Sequence, residues 1–128
     1  MKHVTTRIFV AGALSCLALS AAAETVYEEV WTCELEDGKT IEEVQAANSK
    51  WLATVNEKTG KGKIRSSVLR AVVGDTDTFY FVDTYPDLAT WGATKEYLGS
   101  DEGQSVEEVF EGLSDCSQNR LYRRDYTR

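Results

Sequence analysis

Cys33 and Cys116 stand 83 positions apart, one near the end of the stretch YEEVWTCEL (Tyr27–Leu35) and the other opening CSQNRLYRRDY (Cys116–Tyr126). Bridged, they would tie together nearly the two ends of a small domain, and few arrangements of the intervening chain permit that. Whether they are bridged depends on the compartment, and the residues before Tyr27 bear on it. Lys2 and Arg7 flank the start of an apolar run, Ile8–Leu19, and Ser20-Ala21-Ala22-Ala23 ends in an Ala-x-Ala pattern. This is the signature of a secretory signal peptide, residues 1–23, cleaved after Ala23 to leave a single domain over 24–128. The apolar run has 12 residues, short of the roughly 20 that a spanning helix needs, and no later stretch comes close. The mature chain is therefore expected to be soluble, periplasmic or secreted, with no membrane contact after cleavage. Cys16 admits a lipoprotein reading, against which stands the absence of an aliphatic residue three positions upstream of it. In an oxidising compartment Cys33 and Cys116 are expected to form one disulfide. A redox role would call for an exposed, activated thiol or a Cys-x-x-Cys pair, and the chain has no such pair.

The intervening chain reads as a definite order of elements. An opening strand, Thr25–Leu35, runs into Glu36-Asp37-Gly38-Lys39, where glycine can take positive φ. Thr40 and Glu43 then make a capping-box pattern, and Ile41, Val44, Ala47, Trp51, Leu52 and Val55 recur at helical spacing. That helix should fray near Asn56–Lys58. The following Thr59-Gly60-Lys61-Gly62-Lys63 is a flexible basic loop, because a phosphate loop needs a strand before it and a helix after. Ile64–Val73 and Thr78–Thr84, joined by Gly74-Asp75-Thr76-Asp77, read as a hairpin. Pro86-Asp87 opens a second helical segment carrying Leu88, Trp91 and Leu98, and Ser105 with Glu108 repeats the capping-box pattern before Val106, Val109, Phe110 and Leu113. A polar last strand, Cys116–Tyr126, closes the chain.

Strand, helix, strand, strand, helical region, strand is the βαββαβ order of a ferredoxin-like α+β fold: a four-stranded antiparallel sheet with its helices on one face. In that topology the last strand lies antiparallel beside the first, and the end of one neighbours the start of the other. The two cysteines occupy those two places. Placing Cys33 opposite Cys116 pairs residues whose numbers sum to 149, so Trp31 is expected opposite Gln118, Glu29 opposite Arg120 and Tyr27 opposite Tyr122, with Val26, Val30 and Leu121 on the other face.

The mature chain, on the strength of YEEVWTCEL, TIEEVQAANSKW, RAVVGDTDTFYFVDTYPD and SDCSQNRLYRRDY, resembles the dimeric α/β-barrel superfamily. The resemblance covers nearly all of the mature residues and implies ferredoxin-like subunits that pair sheet to sheet, hence a homodimer. Relatives include antibiotic-biosynthesis-type monooxygenases, haem-degrading enzymes, stress-responsive small barrels and polyketide cyclases. No motif carries over residue by residue, and the Asn that the haem-degrading branch places on its first strand is missing here.

Composition excludes more chemistry than it supports. The only His is His3 and the only Met is Met1, so the mature chain has no Ser-His-Asp or Cys-His pair, no His-ligated haem and no His-built zinc site. No metal and no cofactor are expected: Asp75-x-Asp77 and Asp101-Glu102 lack a full set of calcium oxygens, and no Gly-x-Gly-x-x-Gly fingerprint occurs. Loss of Lys2 and Arg7 leaves 12 basic against 21 acidic residues, taking the net charge from −7 to −9. That charge disfavours nucleic acid and anionic membranes, and otherwise suits a solvated surface.

Acid–base work would fall to Asp, Glu, Lys or Tyr. Asn48 borders the apolar stripe of the first helix, reading either as pocket-facing or as the stripe's solvent edge. Asp83 and Tyr85 close the third strand, Asp83 reading either as a buried base or as a turn former before Pro86. Arg70 and Arg120, with Arg123, lie on strands and would orient a carboxylate ligand or pair with Glu28 and Glu29. Trp31, Tyr80, Trp91 and Tyr97 read as an aromatic pocket, as core, or as dimer interface. The expectation is an exported domain binding a small apolar or aromatic molecule between sheet and helices. The alternatives are a cofactor-independent monooxygenase, isomerase or cyclase, and a structural or protein-interaction domain.

Overall fold

The computed structural model describes residues 25–126, so the signal-peptide reading of residues 1–23 lies outside the described residues. Within it the chain runs β1 (Val26–Leu35), α1 (Ile41–Val55), a short π-helical turn (Asn56–Gly60), β2 (Arg65–Arg70), β3 (Thr78–Tyr85), α2 (Leu88–Leu98), α3 (Asp101–Glu107), a 3-10 turn (Glu108–Phe110) and β4 (Ser114–Arg124). The four strands form one antiparallel sheet in the order β2-β3-β1-β4. This is the expected ferredoxin-like α+β arrangement.

Local chemistry explains most of the boundaries. Gly38 takes φ +77° in the turn that ends β1, a conformation that costs glycine little. At Thr40 both halves of the capping box are made: Thr40 Oγ1 accepts from the Glu43 N–H at 3.3 Å, and the Glu43 carboxylate accepts from the Thr40 N–H at 2.9 Å. The first helix does not simply fray. It passes into the π turn and stops at Lys61, which is left-handed at φ 49°, while the Asn56 side chain both donates to and accepts from the Ile64 backbone at 2.9 Å. The last helical segment corrects one expectation. Ser100, not Ser105, is the N-cap, accepting from the Gly103 N–H at 3.2 Å, and Ser105 sits inside α3. Gly103 approaches the Tyr97 backbone so closely that no Cβ fits there, so the first turn of α3 needs a glycine at this position.

Alternation along the strands sets the layers. Cys33, with Trp31 and Leu35 beside it, packs with Ile41, Val44, Phe79 and Phe81 in one core cluster. Tyr27 joins a second cluster built on Trp51, Val55, Ile64, Tyr85 and Leu98. The inward phase of β1 is thus Tyr27, Glu29, Trp31, Cys33, Leu35, and that of β3 is Phe79, Phe81, Asp83, Tyr85. Phe110 touches both clusters and meets Phe81 edge to face at 5.2 Å between ring centroids. On the other face Leu69, Tyr80 and Tyr122 are substantially exposed.

Cys33 and Cys116 are bridged. The register beyond them differs from the expected one. Cys33 pairs with Cys116 and Glu34 with Asp115, but Thr32 pairs with Gln118, leaving Ser117 as the extra residue of a bulge. From there toward the start of β1 the paired numbers sum to 150: Trp31 faces Asn119, Glu29 faces Leu121 and Tyr27 faces Arg123, while Arg120 lies opposite Val30 on the outer face. The expected Glu29–Arg120 and Tyr27–Tyr122 couples are therefore not formed. A slip of one residue exchanges the faces of everything beyond it, and here it turns Asn119 and Leu121 inward.

Candidate functional site

Two inward-facing carboxylates distinguish the interior. Glu29, on β1, and Asp83, on β3, are 2 % and 5 % exposed, and they face each other across the pairing of those strands. Buried acids need partners, and the two find different kinds. Glu29 is fully engaged: Oε2 receives the Lys95 ammonium at 2.8 Å and the Trp91 indole N–H at 3.3 Å, and Oε1 receives the Asn119 amide at 2.7 Å. Lys95, held in this way by α2, also lies 5.4 Å from the centre of the Trp31 ring.

Asp83 has no cation of its own. Its Oδ1 accepts from the Ser66 hydroxyl at 2.5 Å, and the Ser66 oxygen in turn accepts from the Asn48 amide at 2.8 Å. Because Asn48 donates to Ser66, the Ser66 proton is committed to Asp83, and a proton on Asp83 itself belongs on Oδ2. Burial pushes the Asp83 pKa from 3.8 up to about 7, opposed by the Ser66 hydrogen bond, reinforced by Glu29 and opposed by Lys95.

Tyr85 follows Asp83 on the inward face. Its hydroxyl is buried without a hydrogen-bond partner. Burial raises the phenol's pKa, and the nearby charges of Asp83 and Glu29 raise it further. The Glu29 oxygens bond Lys95, Trp91 and Asn119, and none bonds Tyr85 Oη. Tyr85 is thus a neutral, unused donor.

These groups border a cavity of about 220 Å³ between sheet and helices, walled by Trp31, Trp51, Phe81, Leu98 and Phe110. Asn48, Asp83 and Lys95 supply its polar interior, Glu107 stands at its exposed rim, and the bridged Cys116 contributes to the wall beside Ser114. Among the described residues no group of three or more His, Cys, Asp or Glu is placed to hold a metal ion, and no helix is long and apolar enough to cross a membrane.

The residues singled out by sequence separate into groups. Trp31, Asn48 and Asp83 come together at the cavity. Tyr85 lies beneath them, and Trp91 acts from behind through Glu29. Tyr97 packs against the second core cluster without lining the cavity. Tyr80 is on the outer face, Arg120 is on the outer face of β4, and Arg70 is exposed at the end of β2, so the two arginines form no cluster at the cavity. Sequence reasoning missed Glu29, Lys95, Ser66 and Trp51 as members of the site. For Glu29 the signal was available: it shares the phase of Trp31, Cys33 and Leu35, and a Glu in the inward phase of a strand is a buried acid. Ser66 and Lys95 had no such mark.

The state of Asp83 makes stability depend on pH in a fixed direction. Between its unfolded value of 3.8 and its folded value of about 7, the folded protein holds a proton that the unfolded chain releases. Stability from this group is complete below about pH 4 and falls as pH rises to about 7, after which it is flat. Denaturant unfolding at pH 5 and pH 8 is expected to show this fall, and Asp83→Asn to abolish most of it. An equal fall in the variant would assign the titration to another group.

No protein-family model matches the chain, and no curated protein matches it in sequence. Solved structures do match in fold. SnoaB, a cofactor-independent oxygenase from Streptomyces nogalater, superposes with a TM-score of 0.54 at 14% identity, covering 83% of this chain and 97% of that one. A nipsnap family protein of unknown function from Agrobacterium tumefaciens gives a TM-score of 0.55 at 10% identity over 79% and 89% of the two chains. The protein SO0527 from Shewanella oneidensis gives 0.53 at 18% identity over 79% and 92%. At such identities the likeness is one of fold alone, and the fold is the one that the superfamily resemblance implied.

Proposed function

We propose that the protein is an exported small-molecule-binding domain whose ligand enters the cavity between sheet and helices. The observation that carries this reading is Asp83: a carboxylate 5 % exposed, without a cation of its own, directed to an aromatic-walled cavity. A buried acid of this kind is costly where nothing uses it, and apolar cavities with a few convergent polar groups are the usual form of ligand sites. The ligand is a compact apolar or aromatic molecule with a polar end that meets Asp83. Export is supported by the Cys33–Cys116 bridge, which belongs to an oxidising compartment. Homodimerisation through the outer sheet face is supported by the exposure of Leu69, Tyr80 and Tyr122 on it.

The placement of Asp83 also favours a second reading, proton-transfer catalysis without a cofactor. A carboxylate with a pKa of about 7 can both take and return a proton at neutral pH, and the Asn48–Ser66 chain directs that exchange to Oδ2. In such a reaction Asp83 would be the base, and Lys95 the nearest cation to a developing oxyanion.

Native mass spectrometry of the mature protein purified from its own host, under non-reducing conditions, tests the first reading. A dimer carrying a stoichiometric small molecule, lost on filling the cavity with Ser114→Phe from its half-buried wall, is the expected result. A ligand-free monomer that takes up no small aromatic probe would overturn it. Turnover of a bound probe that stops in Asp83→Asn, with the fold retained, would move the assignment to the second reading.

A further inference from the structure

The charges around the cavity do not balance, and the imbalance indicates what it accepts. Lys95 is the one basic residue among its lining, and Lys95 is already matched by Glu29 at 2.8 Å. The Glu29 oxygens are filled by Lys95, Trp91 and Asn119, so this pair is self-contained. What remains is negative: Asp83 at the polar wall, and Glu107 at the rim, which makes no ion pair among the described residues. The other polar group turned to the cavity, Asn48, spends one amide N–H on Ser66; its second N–H and its carbonyl oxygen are uncharged, so it offers no positive charge to an anion. The remaining wall is aromatic, from Trp31, Trp51, Phe81 and Phe110, and ring faces attract cations. Trp31 already does so with the Lys95 ammonium at 5.4 Å.

Resting on the reading of this cavity as a ligand site, we propose that its ligand is an organic cation, a protonated or quaternary amine with a compact apolar body, its charge balanced by Asp83 and its alkyl surface set against the aromatic wall. An anion would meet Asp83 and Glu107 with only a spent Lys95 to receive it. A neutral molecule would sit beside the protonated acid and gain nothing from its ionised form. The groups that act on Asp83 are Ser66 from β2, Glu29 from β1 and Lys95 from α2, with Tyr85 feeling the Asp83 charge on the same strand and Asn48 of α1 and Glu107 of α3 lining the same cavity. A bound cation favours the ionised carboxylate, so cation affinity rises with pH through the titration of Asp83, and protons are released on binding below that point.

Three probes of nearly equal shape separate the possibilities: choline, its neutral carbon isostere 3,3-dimethyl-1-butanol, and the anion 3,3-dimethylbutanoate. Each is titrated into the disulfide-intact mature protein and followed by the indole N–H resonances. Choline is expected to bind at least about tenfold tighter than the alcohol, and the carboxylate most weakly. The choline Kd should fall several-fold between pH 6 and pH 8 while that of the alcohol stays constant. Asp83→Asn, its fold checked by thermal melting, should lose most of the preference for choline over the alcohol and all of its rise between pH 6 and pH 8, keeping only what the aromatic wall supplies. The isostere and pH comparisons need only the unmodified protein, so they decide the matter even if that variant fails to fold. Equal or tighter binding of the alcohol, or preference for the carboxylate, would overturn the cation assignment and leave the ligand-site reading standing. Binding of none of the three, nor of any small aromatic probe, would overturn both.

Discussion

Opening the Cys33–Cys116 bridge is expected to lower stability by about 4 kcal/mol, the chain-entropy value for a loop of this length. The bridge spans a sequence separation of 83 residues and so restrains most of the unfolded chain. For a domain of this size the loss corresponds to a fall in Tm of about 20 °C. Its structural effect should be local. β4 is an edge strand, its side chains almost all exposed, and apart from its pairing with β1 the bridge is its covalent tie to the sheet. Cys33 is 1 % exposed within the first core cluster, so the proper variant is Cys33→Ala with Cys116→Ala, which avoids burying a hydroxyl. Thermal unfolding of this pair, beside the reduced and oxidised native chain, measures the effect. Hydrogen exchange should accelerate first in β4, carrying with it the Asn119 bond to Glu29. A fall in Tm below about 5 °C would mean that β4 is held by its pairing with β1 and that the bridge adds little.

The second large effect concerns Glu29. Lys95→Met removes the cation from a carboxylate that remains buried, and is expected to cost about 2 to 3 kcal/mol. This is below the roughly 3 to 5 kcal/mol of a wholly buried pair, because the Lys95 side chain is 32 % exposed and because Trp91 and Asn119 continue to donate. Glu29→Gln alone leaves a partly covered ammonium able to turn to solvent, and should cost less. The double variant Glu29→Gln, Lys95→Met should recover most of the single loss, since removing both charges removes the uncompensated one. Denaturant unfolding of the four proteins gives the coupling directly. Additive losses, with no recovery in the double variant, would mean that Lys95 contributes by packing its stem over Trp31 and not by charge.

How far the fold could be read from the chain follows from what each element depends on. The Thr40–Glu43 capping box, the apolar stripe of α1 and the turn at Gly38 are local matters, settled within a few residues, and each is where sequence placed it; the hairpin is present too, but its first strand ends at Arg70 instead of Val73, and Val72 and Val73 stand exposed in the loop. The Cys33–Cys116 bridge joined those local elements into one topology because only neighbouring antiparallel strands bring such positions together. Ser100, not Ser105, caps α3, and its first turn packs Gly103 against the Tyr97 backbone, a tertiary contact that no capping pattern encodes.

The site was legible in its parts and not in its assembly. Trp31, Asn48 and Asp83 carried the right chemistry and did converge. Arg70 and Arg120 carried plausible chemistry but lie at the end of β2 and on the outer face. The difference for Arg120 is one residue, Ser117, whose bulge reverses the facing of everything from Gln118 onward and turns Asn119 to the helix-covered face in place of Arg120. Bulges arise from how two strands accommodate each other, not from either strand alone. The sequence by itself determined the elements, their order and the bridge, since these follow from periodicity, turn chemistry and covalent reach. Only the tertiary structure decided that Glu29 has Lys95 while Asp83 has no cation, because the balance of buried charge depends on which side chains the folded layers bring within a few ångströms of each other.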